Sequence, residues 1–136
     1  MAERKSLKYL IDYHKKTQSN ILSNGTLAHY KTTEKYLMDF LSSVKKADDV
    51  YIEEIDYQFI TEFEHYLRSF EPKDHQRPMS HNVVMKHMTR LRKMLNMATK
   101  LEWIPGNAFN RYAISYTKVD RGHLTELELQ TIISKK

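Results

Sequence analysis

The chain contains no cysteine in 136 residues, which excludes disulfides, thiolate metal sites and cysteine nucleophiles. Glycine and proline occur three times each, too seldom for the many tight turns of a β-sandwich. No run approaches the roughly 18 consecutive apolar residues of a membrane span, and no apolar segment follows the charged start to form a secretory signal. These absences point to a helical protein of the cytoplasm, away from membranes. Phosphate-cradling glycine loops, dinucleotide fingerprints and zinc-protease helix motifs are also missing, so neither cofactor nor metal is expected. The seven histidines lack the close spacing a metal needs. The run Glu53-Glu54-Ile55-Asp56 has no histidine partner and reads as a helix cap beside a solvated face.

Nine tyrosines, five phenylalanines and one tryptophan, within a 40% apolar composition, supply one core of ordinary size. The formal charge is +5, and its placement is uneven. Between Ala47 and Leu67 lie Asp48, Asp49, Glu53, Glu54, Asp56, Glu62 and Glu64 with no lysine or arginine. Between Lys73 and Arg121 the balance reverses, and only Asp74, Glu102 and Asp120 oppose the many cations. A module with one acidic and one basic side suits docking on a polyanion.

Apolar spacing predicts a first helix over about 2–17, with Leu7, Leu10, Ile11 and His14 on one face. Thr26 is the expected cap of a second helix, whose stripe is Leu27, Tyr30, Leu37, Phe40, Leu41 and Val44 and which ends at Lys45-Lys46. Residues 48–55 read as an extended connector that pins apolar side chains into the core. Asp56 caps a third, acidic helix carrying Phe59, Ile60, Phe63, Tyr66, Leu67 and Phe70, which should face away from any DNA. Residues 71–79, with Pro72 and Pro78, read as a loop.

Ser80 caps the longest helix, about 81–101. Its core stripe is Val84, Met88, Leu91, Leu95 and Ala98, broadened by Met94 and Leu101, while Met85 and Met97 fall off the stripe toward solvent. Opposite that stripe run Asn82, Lys86, Arg90, Lys93 and Lys100 at helical offsets, a candidate phosphate track. Lys31, Thr32 and Lys35 form a second basic face on the second helix. Ser80, His81 and Asn82 stand at a helix N-terminus whose free N–H groups can meet a phosphate. Trp103 to Phe109 closes the helix with a turn. Residues 112–119 are β-prone and read as a linker, and Thr125 with Glu128 forms a capping box opening a last helix that the chain leaves after a few residues.

Taken together, Thr26-Leu27-Ala28-His29-Tyr30-Lys31-Thr32, Ser80-His81-Asn82, Leu91-Arg92-Lys93-Met94-Leu95-Asn96-Met97-Ala98, Trp103-Ile104, Asn107-Ala108-Phe109 and Arg121-Gly122-His123-Leu124-Thr125-Glu126-Leu127-Glu128 follow a familiar order. The chain resembles the core-binding, SAM-like helical domain of tyrosine recombinases, the phage-integrase family, and is most similar to integrases of Bacteroides-type mobile elements. It departs from the family at Ala108, where an Asn-Pro-Phe turn is usual.

The resemblance implies an all-α, four-helix SAM-like core-binding bundle over residues 1–111. An interdomain linker over 112–123 and the start of a catalytic domain over 124–136 would follow. It implies a fragment that grips double-stranded attachment-site DNA without cleaving it. The nucleophilic tyrosine would belong to a catalytic domain of the same parent chain, and the parent would be tetrameric on DNA. Lys31, Thr32 and Lys35, with Ser80, His81, Asn82, Lys86 and Arg90, map onto the two helices that the family sets against the major groove. Lys93 and Lys100 suit backbone contacts. Two other readings stay open: a stand-alone helical transcriptional regulator, and a protein–protein adaptor using the acidic helix and exposed methionines.

Overall fold

The computed structural model describes residues 4–70 and 79–117 and contains four α-helices: α1 (Leu7–Gln18), α2 (Asn24–Phe40), α3 (Tyr57–Ser69) and α4 (His81–Lys100). The expected loop over 71–78, the later part of the linker and the capping box at Thr125 lie outside the described residues. The fold is the expected all-α bundle.

Each helix begins where a short polar side chain can accept an otherwise unpaired N–H of the first turn. Asp56 accepts from Phe59 N at 2.9 Å and Ser80 from Val83 N at 3.2 Å, as their positions before apolar stripes predict. The first two helices start elsewhere than their periodicity suggested. Ser6 caps α1 through Tyr9 N, because residues on either side of it are drawn into pairing with the connector. There Leu7 N donates to Val50 O at 2.8 Å and Ile52 N to Lys5 O at 2.9 Å, around an isolated bridge between Ser6 and Tyr51. For α2 the cap is Ser23 rather than Thr26. Ser23 Oγ takes the Thr26 N–H at 3.2 Å, so Asn24 and Gly25, which precede the expected cap, form the first turn.

The end of α2 widens into a π-helical turn, Leu41–Lys45, closed by Lys46 in the left-handed region at φ 56°. That turn carries Val44 out to 47% exposure, away from the stripe it was expected to extend. The connector is also less extended than expected, since Ile52–Glu54 is a 3₁₀ turn. It nevertheless buries Ile52 and Ile55, as proposed for an anchor between α2 and α3.

The core forms where α2, α3 and α4 face one another. Phe40 lies 5.2 Å from Phe59 and 5.4 Å from Phe63, ring to ring, and Leu37, Ile60, Leu67, Met88 and Leu91 are fully buried. Along α4 the apolar face is broader than its stripe. Met85 is buried, not exposed, because the side of α4 one position past Val84 is covered as well. Leu101, expected in the core, is 37% exposed beyond the last helical turn.

Below the bundle, Ile104 and Phe109 seal the core while Trp103 packs on Tyr9 and Tyr13 at 5.4 and 5.0 Å. Asn107 fastens this turn to α4. It donates to Asn96 Oδ1 at 2.7 Å and to Arg92 O at 3.2 Å, and accepts from Phe109 N at 2.9 Å. A buried amide satisfied three ways fixes the turn even with alanine at position 108.

Candidate nucleic-acid interface

Between the α1–α2 corner and the outer face of α4 runs an open groove of about 700 Å³. One wall is Lys86, Arg90, Lys93 and Lys100 of α4, interleaved with Thr89 and Asn96. The other is neutral, with Tyr13, His14, Thr17 and Tyr30 among its members. Among the described residues no aspartate or glutamate lines it. Lys86, Lys93 and Lys100 are exposed and enter no ion pair among the described residues.

The acids are spent elsewhere. Arg4 pairs with Glu53 and Glu54, Lys15 with Glu34, Lys45 with Glu62 and Arg68 with Glu64. Hydrogen bonds from Lys45 and Gln58 hold the Glu62 carboxyl below its ordinary range. Burial raises the pKa of Glu64, but bonds from Tyr112 and Arg68 outweigh it and leave the group lowered. No residue of α3 lines the groove, consistent with the expectation that this acidic helix faces away from a polyanion. The positive field in the groove is thus uncompensated by neighbouring carboxylates, the arrangement that attracts phosphate.

Of the sequence-derived candidates, the structure gathers Lys86, Arg90, Lys93 and Lys100 on one wall. Lys31, Thr32 and Lys35 are exposed on α2 but lie outside the groove lining, and Lys31 borders a smaller cleft with Lys15 and Glu34. Arg90 is not on the fully solvated far side that its spacing suggested. It is half-buried at the seam of α2 and α4, where its Nη1 donates to Thr33 Oγ1 at 3.1 Å.

Ser80 is occupied as the cap of α4, and the two residues after it hold the segment that follows the bundle. His81 accepts from Arg68 Nη2 on Nδ1 at 2.9 Å and donates from Nε2 to Ser115 O at 2.7 Å. Asn82 makes a two-way clasp with Thr117, donating to its carbonyl at 3.0 Å and accepting from its N–H at 2.8 Å. Tyr116 OH meets Thr89 Oγ1 at 2.8 Å, and Tyr112 OH donates to Glu64. Residues 112–117 therefore pack back along α3 and α4, with Tyr116 bordering the groove. Replacing Asn82 with Ala is expected to free this segment, seen as faster amide exchange at Thr117, while global stability changes by less than about 1 kcal/mol, since exposed hydrogen bonds contribute little net.

Sequence reading missed several groove and seam residues, namely Thr33, His87, Tyr116 and Asn96. A signal existed for the first two, polar residues within apolar stripes: Thr33 falls between Tyr30 and Leu37, and His87 between Val84 and Met88. Asn96 stands on α4 between Lys93 and Lys100 and shares their face, whereas Tyr116 is brought there by the chain's return path.

Residues 6–116 match the family model described as the phage integrase SAM-like domain, a span from the cap of α1 to the segment packed on α4. No curated protein and no solved structure matches the chain significantly.

Proposed function

We propose a DNA-holding role for this chain, which belongs to the phage integrase SAM-like domain family. It acts as the core-binding region of a site-specific tyrosine recombinase and clamps double-stranded attachment-site DNA for integration and recombination. The observation that carries this reading is the groove whose wall holds four cations and whose lining, among the described residues, includes no carboxylate. Lys86, Arg90, Lys93 and Lys100 take the sugar-phosphate backbone. Lys31, Thr32 and Lys35 on α2, and Ser80, His81 and Asn82 at the start of α4, supply flanking contacts, the last two after releasing residues 115–117.

Strand cleavage would fall to a catalytic domain of the same parent protein, tetrameric on paired sites in the cytoplasm, since the SAM-like domain is not itself the catalytic part of integrases. Among the described residues no helix is long and apolar enough to cross a membrane. The order of the sequence motifs supports an integrase of the Bacteroides mobile-element kind.

Fluorescence anisotropy with a labelled duplex tests the reading. The logarithm of affinity should fall linearly with the logarithm of salt concentration, with a slope of about −3.6 if four phosphates are neutralised. Affinity indifferent to salt, or no binding at low salt, would remove the groove from consideration and favour a protein–protein role.

A further inference from the structure

The seam beside the groove contains a polar cluster that packing alone does not require. Thr33 is fully buried on α2, and its Oγ1 lies 2.7 Å from Nδ1 of His87, itself 4% exposed on α4. Arg90 Nη1 reaches both, at 3.1 Å from Thr33 Oγ1 and 3.3 Å from His87 Nδ1. Tyr36 covers the imidazole edge-on, with ring centroids 5.1 Å apart. Among the described residues the guanidinium is engaged through Nη1, which leaves its Nη2 and Nε donors to face the groove that Arg90 borders.

We infer that Thr33 and His87 are positioning residues that hold the Arg90 guanidinium as a preset seat for a phosphodiester oxygen of the DNA backbone. The inference rests on the DNA reading above and adds the mechanism by which one cation in the row differs from the others. Lys86 and Lys93 swing on solvated stems and lose rotamer freedom when they meet a phosphate. Arg90 has lost much of that freedom on folding, and its planar fork keeps free donors toward the ligand.

The device needs a neutral imidazole with its proton on Nε2, because a second proton, on Nδ1, would remove the acceptor and set a second cation against the guanidinium. The fold supplies that condition. Burial chiefly, then the charges of Arg90 and His29, lower the His87 pKa to about 4. Burial likewise lowers that of Arg90, with Tyr30 and Tyr116 opposing the shift from the groove side.

The test combines two readouts on Thr33→Val, His87→Leu and His87→Asn, the last retaining an acceptor near the Nδ1 position. In ¹⁵N NMR, rotation of the Arg90 guanidinium should be slow in the wild type and in His87→Asn, and fast in Thr33→Val and His87→Leu. In duplex-DNA binding, the two disruptive variants should each weaken affinity about fivefold when Arg90 is present and not at all in an Arg90→Ala background, since coupled residues lose additivity. The near-isosteric Thr33→Val keeps the test open if His87→Leu does not fold. Free rotation of Arg90 in the wild type, or equal weakening in both backgrounds, overturns the inference. If the wild type binds no duplex, the functional proposal fails, and guanidinium rotation still decides whether Arg90 is held.

Discussion

Replacing Lys86, Lys93 and Lys100 together with glutamine will weaken duplex DNA binding by on the order of 100-fold near 0.1 M salt and leave the fold intact. The three residues recur every seventh position on α4. That places them in one row, two turns or about 10.5 Å apart. Each phosphate neutralised contributes about 0.9 to the salt slope, so the triple variant should flatten it by about 2.7. None of the three is engaged in an ion pair among the described residues, and removing like charges from one face costs no partner. A control with the same charge change, Lys8→Gln with Lys16→Gln and Arg111→Gln, alters positions outside the groove lining. Equal loss in the control would reduce the effect to net charge and sink the groove as the binding site.

Acid will destabilise the bundle between pH 6.5 and about 4 by up to about 3 kcal/mol through His87 alone. The sign follows from which state takes the proton first. In the unfolded chain the imidazole titrates near its ordinary 6.5, whereas in the fold burial and the Arg90 charge delay it to about 4. Above pH 6.5 both states are neutral and the full stability is present. Below it, every step toward pH 4 favours the unfolded chain. His14, also lowered by burial, adds in the same direction. The carboxyls of Glu62 and Glu64 are held below their ordinary 4.5, so their stabilisation starts to be lost as the pH falls through 4.5 and goes on being lost down to their lower folded-state values. Urea midpoints at several pH values, compared with those of His87→Leu, check this. The variant should lose stability at neutral pH but show a flatter slope in that window, and an unchanged slope would assign the titration to another group.

Much of the fold was legible because helical periodicity and capping act locally. Asp56 and Ser80 start their helices as expected, and the stripes of α3 and α4 supply about half of the core. Ser23 and Thr26 were less separable, since both are hydroxyl residues able to cap and stand three positions apart. The choice falls to Ser23, whose side chain takes the Thr26 amide. Local pattern also failed at Met85 and Val44. One lies off an ideal stripe and is buried by neighbours from other elements, and the other lies on a stripe that a π turn rotates outward.

The sequence by itself determined the helices, the acidic and basic halves of the charge distribution and the cation row of α4, because each depends on spacing along a single element. Only the tertiary structure decided what that row faces and what restrains it. The neutral wall opposite comes from α1 and α2, and Tyr116 returns to the groove from far along the chain. The hold on Arg90 comes from Thr33, 57 positions away. His81 and Asn82 appear in sequence as free donors at a helix start, yet each is bonded to a backbone more than thirty positions on. Charge spacing is a property of one helix, whereas a groove and a preset guanidinium require surfaces from several helices, and only packing brings those together.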